Sequence, residues 1–254
     1  MKLLERRFKV LRDGMTIRGI EYRPEGENLP IAIVSHGFLA NYKTTKHYAK
    51  QFAQWGYAAY CYDFIGGGIG CHSDGKLKDM TVMTEKKDLG AVIEYVSGLS
   101  YTDSGRLTLA GCSQGGFVSA MVASDMGQAV EKLILFYPAL CIPDDARKGQ
   151  MMLFKFDPKN IPDTLKGGPL TLSGKYARCV VDMDPFAVIR SYRGPVLLMH
   201  GTEDKIVNVS YAYQAKEAYG DNCTLCIYPG AGHGFNKQED QVAFRDIQAF
   251  LAEG

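Results

Sequence analysis

Gly111-Cys112-Ser113-Gln114-Gly115-Gly116 is the stretch whose reading decides the fold. A short apolar run, Leu107 to Ala110, precedes it and reads as a buried strand. Phe117-Val118-Ser119-Ala120-Met121-Val122-Ala123 follows it and reads as a helix. A G-x-S-x-G match set between strand and helix predicts a sharp turn with its serine at the apex, a nucleophile elbow. The physics is steric. A serine in strained backbone geometry persists only where its surroundings enforce that geometry. Gly111 and Gly115 lack a Cβ, so strand and helix can close around Ser113. The strain lifts the Ser113 hydroxyl clear of the sheet. The plainer alternative is a glycine-rich turn that happens to contain a serine, and the rest of the chain decides between them.

Upstream, Phe8 to Leu11 and Met15 to Tyr22 flank Arg12-Asp13-Gly14, and Asp-Gly between alternating apolar residues predicts a hairpin. Ile31-Ala32-Ile33-Val34 is apolar on both faces, as a central strand is, and runs into Ser35-His36-Gly37-Phe38. Thr44 to Trp55 has helical spacing, closed by Gly56. Tyr57 to Tyr62 reads as a strand ending at Asp63, and Met80 to Val96 as a long amphipathic helix. Downstream, Leu133 to Tyr137 reads as a strand ending at Pro138. Later come a strand at Val196 to His200, a helix at Ser210 to Tyr219, a strand at Leu225 to Tyr228 and a helix at Gln241 to Leu251. Strands alternating with helices predict an α/β fold, a mostly parallel central sheet with helices on both faces.

Between the two halves the pattern changes. Pro143, Pro158, Pro162, Pro169 and Pro185 interrupt residues 141–190, and periodicity is weak. The segment is longer than an ordinary connection. It is expected to form a small inserted cap on a core made of residues 1–140 and 191–254. Its expected place is the C-terminal edge of the sheet, where open α/β sheets bind ligands.

A chain of 254 residues with 46% hydrophobic content fits one α/β domain with a sizeable core. Net charge is +1, with both signs mixed throughout. That argues against a nucleic-acid footprint or a polybasic membrane patch. Met1 to Val10 is charged and has no apolar core segment, so no secretory signal is expected. No run is long enough to span a bilayer. Seven cysteines are scattered over apparent strands and loops. An odd, dispersed set fits reduced thiols and a cytoplasmic location better than a disulfide framework. Cys223-Thr224-Leu225-Cys226 lies in a strand pattern, where positions three apart face opposite sides of the sheet. A zinc site there would lack its second pair of ligands. The cluster Gly66, Gly67, Gly68 and Gly70 lacks dinucleotide-binding spacing and reads as a flexible loop near the pocket.

A serine hydroxyl needs a base within hydrogen-bond reach, and the base needs a partner that fixes its tautomer. On an elbow fold these follow in the order serine, acid, histidine. Asp204, in His200-Gly201-Thr202-Glu203-Asp204, and His233, in Gly230-Ala231-Gly232-His233-Gly234, stand in that order just past strand ends. Glycines flanking His233 favour an exposed loop position, and the alternative is an ordinary surface histidine. Asp204 competes with Glu203, since only one of the two can point inward, and Asp is also common in turns. His47 falls on a helix, His72 in a loop, and His200 at a strand end with a supporting role. The oxyanion of acyl transfer needs two backbone N–H donors. Gln114, after the nucleophile, and Phe38, in the loop after the first central strand, are the candidates.

On these residues the chain resembles an α/β-hydrolase over essentially its full length. The carriers are His36-Gly37-Phe38, Gly111 to Gly116, His200 to Asp204 and Gly232-His233-Gly234. Within that superfamily it is similar to bacterial cinnamoyl (feruloyl) esterases. Ile142-Pro143, Ala146-Arg147 and Lys155-Phe156-Asp157-Pro158-Lys159-Asn160-Ile161-Pro162-Asp163 look like that family's cap. The resemblance implies a serine carboxylic ester hydrolase with a triad, no metal or other cofactor, and a small-molecule ester as its partner. It implies a cap that gives polar groups to an aromatic acyl pocket, for which Asp145 and Tyr176 are the nearest matches. Two features depart from the pattern. The loop Phe64 to Gly75 is longer and richer in glycine, and Cys112 replaces a bulkier residue. Alternatives on the same fold are a small-acyl esterase or lipase, a thioesterase and a prolyl-oligopeptidase-like peptidase. From another class, the alternative is a non-catalytic ligand-binding module. The sequence leaves the oligomeric state open, a homodimer included.

Overall fold

The computed structural model describes residues 2–252. Its first two strands form where Asp13-Gly14 lets the chain reverse. β1 (Leu4–Arg12) and β2 (Met15–Arg23) pair antiparallel, with Arg12 opposite Met15. Asp13 and Gly14 have φ of 50° and 77°, the pair of positive values that a two-residue hairpin turn favours. The β-branched run becomes β3 (Leu29–Ser35), followed by α1 (Lys46–Gln54), β4 (Ala58–Asp63) and α2 (Val82–Ser97). A capping box between Thr81 and Thr84 starts α2. Then come β5 (Thr102–Cys112), α3 (Gln114–Met126) and β6 (Lys132–Phe136). β5 begins earlier than its apolar residues announce, because Thr102 and Asp103 pair with Leu29 and Pro30 across an irregularity in the ladder.

The proline-broken segment holds short elements. They are α4 (Ile142–Lys148), the hairpin of β7 (Gln150–Met151) and β8 (Phe154–Lys155), the hairpin of β9 (Thr164–Gly167) and β10 (Leu170–Ser173), then α5 (Lys175–Arg178) and α6 (Pro185–Ile189). The chain rejoins the sheet as β11 (Val196–Gly201), α7 (Ser210–Tyr219), β12 (Cys223–Tyr228) and α8 (Lys237–Ala252).

The main sheet runs in the order β1-β2-β4-β3-β5-β6-β11-β12, parallel from β4 onward. Its two faces bury separate cores. Ile31, Ile33, Leu107, Leu109, Leu133 and Leu135 meet α2, α3 and α7 on one side. Ala32, Val34, Ala110, Ile134, Phe136 and Met199 meet α1 and α8 on the other. Cys223 lies in the first core and Cys226 packs against the second, so the C-x-x-C pair straddles the sheet. Among the described residues no helix is long and apolar enough to cross a membrane.

Packing is tight where α3 crosses β3. A Cβ at Gly115 would stand 2.7 Å from the Ser35 carbonyl oxygen and closer still to that of His36. Both obstacles are backbone and cannot rotate away. Gly115→Ala is expected to cost about 2 kcal/mol or more, which for a chain of this size lowers Tm by roughly 4–8 °C. An unchanged thermal melt would show that β3 and α3 do not pack this closely.

Candidate active site

β5 ends at Cys112 and α3 starts at Gln114, so Ser113 alone turns the chain. Its φ is 54° and its ψ −120°, a region that side-chain-bearing residues enter at a cost of about 1–3 kcal/mol. Three backbone hydrogen bonds hold it there. The Ser113 N–H donates to the Phe136 carbonyl at 2.9 Å. The Ser113 carbonyl accepts from Phe117 N–H at 3.1 Å and from Ala139 N–H at 2.9 Å. Gly37 closes in from the other side, where a Cβ would lie 3.1 Å from that of Ser113.

The structure brings the three residues singled out by chain order into one line. His233 Nε2 is 2.9 Å from Ser113 Oγ, and His233 Nδ1 is 2.8 Å from Asp204 Oδ2. A carboxylate can only accept, so Nδ1 carries the proton and Nε2 accepts from the serine hydroxyl. The loops meet because β11 and β12 are parallel neighbours that end at the same edge. Asp204 is buried while Glu203 is exposed, which resolves the competition between them. Asp204 Oδ1 accepts from the N–H groups of Ile206 and Val207, each at 2.8 Å, and Oδ2 is also 3.2 Å from His200 Nε2. Burial works against the ionised carboxyl, but hydrogen bonds from His200, His233 and Val207 outweigh it and hold the group below the usual carboxylate range. His200 is fully buried, and its Nε2 also donates to the Val207 carbonyl at 2.9 Å. It braces the loop that carries Asp204.

Phe38 and Gln114 flank Ser113. Gln114 is the first residue of α3, where backbone N–H groups have no intrahelical acceptor. The Phe38 N–H has no intramolecular acceptor among the described residues. His36 shapes this loop in a way its sequence context did not reveal. Its Nδ1–H donates to the Gly37 carbonyl at 2.8 Å, and its Nε2 accepts from Phe64 N–H at 3.2 Å. Burial pushes its pKa down, and a neutral ring is what one donor and one acceptor require. The glycine cluster at 66–70 lies near the pocket without lining it. Gly68 bridges to Leu39, and Ile69 N–H donates to the Leu39 carbonyl at 3.2 Å. The loop therefore backs the Phe38 segment from behind.

A cleft opens onto Ser113. Phe38, Ile142, Met151, Phe154 and Leu172 make apolar walls. Asp145 on α4 and Tyr176 on α5 also line it. Burial pushes the Asp145 carboxyl up, with the Cys141 thiol and Lys148 opposing. The Tyr176 hydroxyl donates to Gln114 Oε1, and Gln114 Nε2 donates to Glu85 Oε2 at 2.7 Å. Sequence reasoning missed Glu85, and it missed Ile206 and Val207 on the wall beside Asp204. His47 and His72 do not line the cleft. Among the described residues no group of three or more His, Cys, Asp or Glu is placed to hold a metal ion.

No curated protein matches the chain significantly in sequence. Among solved structures, Est1E of Butyrivibrio proteoclasticus with ferulic acid bound is similar with a TM-score of 0.89 at 28% identity, over 97% of this chain and 98% of that one. A second Est1E structure gives 0.84 at 25% identity, over 97% and 99%. The Pyrococcus furiosus esterase Pf2001 gives 0.73 at 17% identity over 98% and 92%, a likeness of fold alone. Residues 180–250 match the dienelactone hydrolase family. The serine aminopeptidase, S33, family matches residues 26–174; that is more than half of a chain whose eight-stranded sheet is an α/β-hydrolase sheet, and the chain belongs to that family of hydrolases.

Proposed function

We propose that this chain is a serine carboxylesterase working through an acyl-enzyme. Ser113 is the nucleophile, His233 the general base and then acid, and Asp204 the carboxylate that orients the imidazole. The observation that carries this reading is the unbroken hydrogen-bonded line from Ser113 Oγ through both His233 nitrogens to Asp204. As Oγ attacks the ester carbonyl, its proton passes to Nε2. The imidazolium, stabilised by Asp204, returns that proton to the leaving alcohol. Water then attacks the acyl-enzyme by the same route and frees Ser113. The N–H groups of Phe38 and Gln114 take up the oxyanion in both halves.

Residues 141–190 act as a cap over the core, supplying the acyl side of the cleft through α4, β7, β8, β10 and α5. An aromatic, hydroxycinnamoyl-type acyl group fits apolar walls with Asp145 and Tyr176 set among them. The Est1E structure with ferulic acid bound supports the same choice. A peptidase reading draws on the family's description as an aminopeptidase, and Asp145 is a carboxylate that could meet a substrate amine. Burial pushes that carboxyl's pKa up, which works against the charge that an ammonium partner needs.

A fluorophosphonate probe is expected to label Ser113, and Ser113→Ala to abolish labelling and lower kcat by at least about 10⁴-fold. Methyl ferulate is expected to outpace p-nitrophenyl butyrate, and aminoacyl-nitroanilides to be the poorest substrates. A folded wild type that takes no label would overturn the reading. Asp204→Asn is expected to lower kcat by about 10²–10⁴-fold, since an amide no longer fixes the tautomer. Because the folded-state pKa of Asp204 is depressed, its stabilising contribution is complete above the unfolded value of about 3.9 and is lost as pH falls through the folded one. The Tm difference between wild type and Asp204→Asn should hold from pH 7 to 5 and shrink below pH 4.

A further inference from the structure

One buried line of hydrogen bonds joins three elements and takes no part in the chemistry above. Glu85, in the first turn of α2, is fully buried. Its Oε2 accepts from Gln114 Nε2 at 2.7 Å, and Gln114 Oε1 accepts from the Tyr176 hydroxyl. A single amide thus ties α2 to the start of α3 and to α5 of the 141–190 segment. The amide has one acceptor and one donor end. With its oxygen taken by Tyr176, its nitrogen needs an acceptor, and Glu85 provides one, with Met80 Sδ more distant at 3.6 Å.

Glu85 is costly where it stands. Burial pushes its carboxyl well above the usual range; the Gln114 hydrogen bond opposes this and nearby Asp88 adds to it. Its Oε1 has no partner among the described residues. An apolar side chain would fill the same space at lower cost. The carboxyl therefore makes sense through what it holds.

We propose that Glu85 is a positioning residue for the Ser113 reaction: through the Gln114 amide it holds both oxyanion-donor residues and the Tyr176 wall in one arrangement. The inference rests on the reading of Ser113 as nucleophile. Gln114, which offers one donor, is pinned at both ends of its side chain. Tyr176, pinned at its hydroxyl, lays its ring against that of Phe38, the other donor residue, with centroids 5.7 Å apart. Loosening the amide frees both contacts at once.

The test compares Glu85→Gln, which keeps an acceptor oxygen, with Glu85→Met, which fills the space without one. Gln114→Leu keeps the backbone N–H and loses both side-chain bonds, and it serves equally if Glu85→Met does not fold. Rates on p-nitrophenyl acetate are taken per active site titrated with a fluorophosphonate, so unfolded protein does not count. Glu85→Met and Gln114→Leu are expected to lower kcat about tenfold with KM within about twofold, the signature of a misplaced oxyanion donor. Glu85→Gln is expected to stay within about threefold of wild type. Wild-type kcat per titrated site in both Glu85→Met and Gln114→Leu overturns the inference, whatever their Tm, and so does an equal loss in Glu85→Gln. A wild type that never reacts with the probe is a different result, because there the esterase reading itself fails.

Discussion

Around Ser113, backbone approaches backbone so closely that added side-chain carbons have no place. Positions 37, 111 and 115 are glycines, and a Cβ at any of them would press on a neighbouring backbone or on Ser113 itself. This crowding makes a positive φ at Ser113 tolerable. The strain, about 1–3 kcal/mol, is no more than burying one or two aliphatic side chains contributes. The central strands bury many more than that on each face. The sheet core thus carries the strain easily, and the strain in turn aims the hydroxyl at His233 rather than into the sheet.

Three buried carboxyls show how burial and donor supply together set charge here. Asp204 receives two backbone N–H groups and two imidazoles and is held low. Asp88 accepts from Ile65 N–H and Arg12, yet burial still pushes it up to about 6. Glu85 has one amide and is pushed well above the usual range. The proposed mechanism needs a fixed negative charge only at Asp204, and of these three it is the one whose donors overcome desolvation.

The elbow was legible because few residues can occupy it. A glycine two before and two after a serine, between an apolar strand and an apolar helix, leaves little choice of backbone. The parallel strands were legible because both of their faces are buried, giving unbroken β-branched runs such as Ile31 to Val34. The 141–190 segment was not, since strands of two to four residues offer too few apolar positions to establish a period. His36 looked like part of a loop, because nothing local announces that Phe64 will supply its second hydrogen bond. Glu85 left a trace that was overlooked. It interrupts the buried stripe of Val82, Leu89, Val92 and Val96 on α2, and its reason is an amide 29 residues away.

The way the 141–190 segment is fastened limits how a substrate can reach Ser113. Ala146, Leu165, Leu172, Ala177, Val180 and Ile189 are buried in the same apolar cluster as α2 and α3. Lifting the segment as a rigid lid would expose all six, at a cost on the order of 10 kcal/mol, comparable to the whole stability of an ordinary domain. It would also break the Tyr176 bond to Gln114. The β7–β8 turn is different. Met152 and Leu153 are 48% and 61% exposed, and Met152 holds a left-handed φ of 53°, so moving this turn uncovers little and relieves strain. Met152 and Ile206 both line the cleft and are both exposed. In the proposed reaction, entry between these two side chains asks only the turn to yield, while the hydrogen-bonded wall behind it keeps its shape.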